Sequence, residues 1–132
     1  MDKITIDDFS KVEIRVGTVL SAEKVPDADK LFRLIFDFGE LTDENKDVVE
    51  RLPEVQEQYP GRDARQIMSA IAPFIPDPAV LVGKQIAVCT NLEPRKFRGY
   101  ISQGMIMATG EDAETLSFLV PAKKVEAGAK VH

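Results

Sequence analysis

At 132 residues, 44% apolar and 30% charged, the chain has the length and composition of one globular domain with a core of its own. The single cysteine, Cys89, excludes an internal disulfide, and no apolar run approaches the roughly 18–20 residues of a membrane span. The net charge of −5 argues at first against a polyanionic partner.

The N-terminus, Met-Asp-Lys-Ile-Thr-Ile-Asp-Asp, is acidic and lacks the basic start and apolar block of a signal peptide, so a cytoplasmic location is expected. Val12, Ile14 and Val16 alternate with Glu13 and Arg15, Gly17 interrupts, and Thr18–Val25 continues the pattern. This predicts a long strand bent at a glycine bulge. In the next strand Phe32, Leu34, Phe36 and Phe38 share one face, with Arg33 and Asp37 on the other.

Residues 41–63 break the strand pattern. Thr42 suits a helix cap with Asp43 and Glu44 in the first turn, and Val48, Val49, Leu52, Val55 and Tyr59 recur at helical spacing. Pro53 is expected to kink or divide that helix, and Tyr59-Pro60-Gly61 to close the excursion. Residues 40–58 hold seven acids against two bases, which by themselves account for the whole net charge. The remainder is neutral and can carry a local basic site.

Further strands are predicted at 65–71, 85–90 and 105–109, a short helix at 78–82 between Pro78 and Gly83, and a strand pair at 116–120 and 129–131 around the turns at Pro121 and Gly128. Five strands with a short helix between the third and fourth give an all-β fold, the five-stranded Greek-key barrel known as the OB-fold, here with an acidic helical insertion of about 41–63 between strands two and three. Residues 1–132 form one domain in this reading.

Residues 91–105, between strands four and five, place Arg95, Lys96 and Arg98 within four positions and mix them with Pro94, Gly99, Gly104, Phe97 and Tyr100. The cations read either as solvated loop charges or as phosphate contacts, for which arginine offers bidentate geometry and stacking. Phe97 and Tyr100 read as base-stacking rings, and Phe97 equally as a loop anchor. Asn91 and Ser102 read as turn residues, Gly104 as a bulge or close backbone approach, and Met105 as core or as an exposed contact. Lys30, Arg33 and Arg65 extend the basic face. Cys89 is a small packed side chain. His132, the single histidine, is terminal and leaves no histidine-based metal site or catalytic dyad; no cofactor is called for.

Several motifs in order resemble the bacterial and archaeal tRNA-binding OB domains. These occur free-standing, as the C-terminal domain of many methionyl-tRNA synthetases, and in cytokine-like cofactors of the eukaryotic synthetase complex. The motifs are Asp7-Asp8-Phe9-Ser10-Lys11-Val12-Glu13-Ile14-Arg15-Val16-Gly17, Val25-Pro26-Asp27-Ala28-Asp29-Lys30-Leu31 and Asp37-Phe38-Gly39. Arg65-Gln66-Ile67 and Leu81-Val82-Gly83-Lys84 follow, and the most specific runs from Asn91-Leu92-Glu93-Pro94-Arg95-Lys96 to Ser102-Gln103-Gly104-Met105. The resemblance covers nearly the whole chain apart from the insertion. It implies a free-standing, non-catalytic homodimer, joined through the N-terminal segment and residues 116–131, that recognises the outer corner of tRNA by shape. Arg95, Lys96, Arg98, Lys30 and Arg33 would neutralise phosphates, with Asn91, Ser102 and Met105 in closer contact. The chain opens on Met1 and ends where the family's tail ends, so a free-standing protein is expected rather than a synthetase fragment.

The CsaA secretion chaperones are a sister branch in which the Asp-Ala-Asp-Lys-Leu block and the Ser-x-Gly-Met ending are altered; this chain carries both. A peptide-binding export chaperone is therefore the alternative, and a module docking onto an aminoacyl-tRNA synthetase through 41–63 a third reading. The family's glycine after the third-strand serine is Ala70 here, and the acidic insertion is outside the family pattern.

Overall fold

The structure, a computed structural model, describes residues 1–47 and 50–132. Its elements are α1 (Ile6–Phe9), β1 (Ile14–Val25), β2 (Ala28–Glu40), α2 (Pro53–Gln58), β3 (Arg62–Ser69), β4 (Gln85–Cys89), β5 (Arg95–Phe97), β6 (Tyr100–Ser102), β7 (Met105–Ile106), β8 (Ala108–Thr109) and β9 (Ser117–Phe118). Two 3-10 turns, Ala72–Phe74 and Pro78–Leu81, connect β3 to β4. The main sheet is antiparallel in the order β3-β2-β1-β4-β7 and curls into a half-barrel, as the OB-fold reading anticipates. No helix among the described residues is long and apolar enough to cross a membrane.

The period-2 pattern of β2 decides the core. Phe32, Leu34, Phe36 and Phe38 enter one cluster with Val19, Ile67, Leu81, Ile86 and Val88. Ile35, on the opposite face, is just as buried, because Val55 of α2 covers it and Ala64 of β3 packs beside it. The insertion is therefore seated on the sheet by apolar burial.

Three expectations change. The β1 irregularity falls between Val19 and Ser21, whereas Gly17 pairs regularly with Ile86. Gly17 instead makes room: a Cβ there would lie 2.7 Å from Phe36 Cδ1 and 2.8 Å from Phe38 Cε1. Thr42 caps only a turn, exchanging hydrogen bonds with Asn45, and α2 begins at Pro53, which suits a first helical position because it has no N–H to leave unpaired. Val48 and Val49 of the expected helical stripe lie outside the described residues. Finally, Ser117–Phe118 pairs with Ala108–Thr109, while Lys130 bridges to Arg15, so the two C-terminal segments do not pair with each other.

Candidate nucleic-acid interface

Within the 91–105 segment, β5 and β6 form a hairpin that is a two-stranded sheet separate from the main one. Arg95 pairs with Ser102, Lys96 with Ile101 and Phe97 with Tyr100. Between them Arg98 (φ 51°) and Gly99 (φ 85°) are both left-handed, the signature of a two-residue type I′ turn. Phe97 and Tyr100 pack against Val25, Ala28, Leu31 and Met68, so both rings anchor the hairpin to the β1–β2 corner. The Arg95 guanidinium lies 5.0 Å over the Phe97 ring, while Arg95 and Lys96 stay exposed.

The base of the hairpin is fixed by amides and a hydroxyl. Met68 N donates to Ser102 Oγ at 3.1 Å, and Ser102 Oγ donates to the Gly104 carbonyl at 3.1 Å. Gln66 N donates to Gln103 Oε1 at 3.0 Å, and Gln66 Nε2 to the Ile101 carbonyl at 3.0 Å. Gln103 Nε2 donates to the Glu50 carbonyl at 2.6 Å, tying the hairpin's foot to the insertion. These bonds close the barrel between β3 and the β6–β7 connection. A Cβ on Gly104 would sit 3.0 Å from the Cys89 carbonyl oxygen, so glycine permits the close approach anticipated there.

Several expected contact residues serve this scaffold. Ser102 is buried, with its hydroxyl engaged on both sides. Asn91 is exposed, but its Oδ1 accepts from Glu13 N at 2.8 Å and its Nδ2 donates to the Lys11 carbonyl at 2.6 Å, pinning the loop to the start of β1. Pro94 is exposed beside it. Arg65 is 3% exposed and lies inside the barrel, not on the basic face: it donates to both Asp63 oxygens and to the Thr90 carbonyl, and stacks over Phe38 at 5.1 Å. Arg33 is likewise committed, to Gln66 Oε1 at 2.6 Å and Glu23 Oε1 at 2.8 Å. Met105, 54% exposed on the edge strand β7, is open to a ligand rather than core.

Two acids beneath the site are held ionised. Burial pushes the Asp63 carboxyl up, but hydrogen bonds and charge from Arg65 and Arg51 outweigh it and leave it below the usual carboxylate range. Glu13 is lowered mainly by its hydrogen bond from Arg15, with Thr90 adding a second.

The ion pairs sort the arginines. Among the described residues Arg15, Arg33, Arg51, Arg62 and Arg65 each have a carboxylate partner; Arg95 and Arg98 do not. Lys30, 66 positions earlier than Lys96, reaches the same cleft as Lys96 and Arg98, a space of about 590 Å³ that also carries Asp27 and Asp29. Ala70, the departure from the family glycine, lines it too. Of the residues singled out in the sequence, the structure thus brings together Lys30, Lys96 and Arg98, with Arg95 on the same hairpin. Gln66 and Gln103 stand in the sequence only as parts of motifs, with no role of their own, and Thr90 not at all; their partners lie 25 or more positions away, beyond any local pattern.

A model of the family described as "Putative tRNA binding domain" matches residues 58–130. The chain belongs to this tRNA-binding domain family. It is 40% identical over 129 residues to a methionine–tRNA ligase of Enterococcus faecalis, covering 98% of this chain but 16% of that enzyme, so it spans about one-sixth of the ligase's length. The crystal structure of a MetRS-related protein from Pyrococcus horikoshii superposes with a TM-score of 0.76 at 32% identity, covering 100% of both chains. The CsaA chaperone of Bacillus anthracis shares the fold, with a TM-score of 0.72 at 24% identity over 99% of this chain and 100% of that one. The family match includes the hairpin, its anchoring glutamines and the C-terminal tail; residues 1–57, with β1, β2 and most of the insertion, lie outside it.

Proposed function

We propose that this tRNA-binding domain binds tRNA without acting on it chemically, through the outer face of the β5–β6 hairpin and the adjoining β1–β2 corner. The observation that carries the reading is the segregation of arginine: the guanidiniums lacking a carboxylate partner among the described residues, Arg95 and Arg98, both stand on this hairpin. Arg95, Lys96, Arg98 and Lys30 neutralise phosphates, and the exposed Met105 packs against a nucleotide. Asn91, Pro94, Ser102 and Gly104 act by holding the loop, and Arg33 and Arg65 by bracing the strands beneath it. Recognition is by shape, because the freely available donors are long cations suited to phosphate. Filter binding of bulk tRNA at about 50 mM salt tests this. Absence of binding, or binding unchanged by Arg95→Ala with Lys96→Ala, would sink it.

The working form in this reading is a cytoplasmic homodimer. Helix α1 has no buried residue, and Ile4, Ile6, Phe9 and Val12 are 66%, 77%, 48% and 44% exposed. Leu119, Val120 and Val131 add apolar surface from the tail. Pairing two copies would cover these groups and present two hairpins to RNA. Sedimentation should show a dimer, and Ile6→Asp a monomer. The likeness to synthetases further suggests that tRNA held here is passed to, or shared with, an aminoacyl-tRNA synthetase. The same apolar strip favours the second reading, a peptide-binding chaperone of the CsaA kind. Suppression of client aggregation that survives Arg95→Ala, together with no tRNA binding, would establish that instead.

A further inference from the structure

Helix α2 and the hairpin stand side by side. Pro53 and Glu54 share one cleft with Gly99, Tyr100 and Ile101. A neighbouring space of about 420 Å³ is lined by Glu23, Glu54, Glu57 and Arg33, again with Tyr100. The helix cannot swing aside freely, since Val55 is 1% exposed against Ile35 and Ala64 and the Glu50 carbonyl is bonded to Gln103. The two flanks of the hairpin therefore differ in sign. On the α2 side three carboxylates face one guanidinium, and that guanidinium is already paired with Glu23. On the β1–β2 side three cations face two carboxylates. Glu54 and Glu57 have no cation partner among the described residues, so their charge is uncompensated.

We infer that α2 is an electrostatic wall: Glu54 and Glu57 repel the RNA backbone from one flank of the hairpin, confining the phosphate path to the Lys30, Lys96 and Arg98 flank and lowering affinity in exchange for a defined orientation. This rests on the tRNA-binding reading and deepens it. A like charge about 10 Å from a phosphate in water changes binding by about twofold, and the repulsion fades once the screening length falls well below that distance. The wall therefore acts at low and physiological salt and disappears in concentrated salt.

The experiment compares the full chain with Glu54→Gln/Glu57→Gln, which preserves side-chain size and helix propensity, by fluorescence anisotropy with bulk tRNA from about 50 to 500 mM salt. Glu111→Gln/Glu114→Gln, on the β8–β9 turn, removes the same charge elsewhere. The inference expects the α2 variant to bind about twofold tighter at about 50 mM salt, the gain vanishing by about 500 mM, with a smaller gain in the turn variant. It also expects Lys30→Gln, on the cationic flank, to weaken binding of the parent by more than about twofold. Equal gains in the two charge variants overturn the wall, as does no gain or weaker binding in the α2 variant; each of these leaves the tRNA-binding reading standing. Failure of the parent chain to bind at about 50 mM salt overturns both.

Discussion

Removing the hairpin cations without disturbing the hairpin separates phosphate contact from scaffolding. Arg98 sits at φ 51° ahead of Gly99 at φ 85°. Arg98→Asn therefore converts the turn to Asn-Gly, the sequence preferred for this geometry, and relieves left-handed strain of about 1 kcal/mol. Arg95→Gln and Lys96→Gln complete a triple variant at exposed positions; the stacking of Arg95 on Phe97 that is lost stabilises such sites by about 0.5–1 kcal/mol. The variant should thus unfold within about 1 kcal/mol of the parent in urea. With Lys30, four cations on this surface imply a log–log salt slope near about −3.6, so raising salt from about 50 to 200 mM weakens binding about 150-fold. Lys30 alone leaves a slope near about −0.9 and about a 3.5-fold change over the same interval. The assay is a titration of bulk tRNA at four or more salt concentrations. A triple variant whose slope stays within about half a unit of the parent refutes phosphate contact by the hairpin, whatever happens to affinity at a single salt concentration.

Other variants test the scaffold. Asp63→Asn leaves the 4%-exposed Arg65 side chain without its counter-charge and should cost about 3–5 kcal/mol in urea unfolding; a loss under about 1 kcal/mol would contradict the buried network. The same carboxyl has a folded pKa below its unfolded value, so its stabilisation is present above the unfolded value near about 4 and is lost as pH falls through the lower folded one. Stability of the parent should therefore drop steeply below about pH 4, and that acid limb should flatten in Asp63→Asn. Gly17→Ala forces a methyl against Phe36 and Phe38 and should lower stability by about 1–3 kcal/mol with no change in the salt slope of tRNA binding. Arg65→Met should destabilise the fold, and whatever protein remains folded should keep the parent's salt slope, because this guanidinium is inside the barrel.

Much of the barrel is legible in the sequence because its information is local. The alternation through Phe32–Phe38 survives as the core face, since strand side chains alternate whatever the tertiary setting. Pro78 and Gly83 bracket their 3-10 turn for equally local reasons. What the pattern misassigns is set by partners distant in sequence. Gly17 interrupts the β1 alternation like a bulge, but the rings it accommodates come from β2. The segments near 117 and 130 are too short to encode register, and each pairs with an earlier strand. In the site, the positions of Arg95, Lys96 and Arg98 follow from their density in the sequence. The burial of Arg65 and Ser102 does not, because a guanidinium or hydroxyl reads the same whether its partner is water, RNA or Asp63. The turn at Arg98 is hidden because a left-handed arginine is uncommon.

Net charge misleads for a related reason. Pairing takes Arg33, Arg51, Arg62 and Arg65 out of the external field together with Glu23, Asp63 and Asp37. What remains effective is the uncompensated remainder, and it is unevenly distributed: cations on the hairpin and the Lys30 corner, carboxylates on α2. With a screening length of about 8 Å in physiological salt, a phosphate at the hairpin feels these neighbours and little of the rest. An acidic chain can therefore offer an attractive surface to a polyanion, with Glu54 and Glu57 as the part of its negative charge placed to restrict where that polyanion lies.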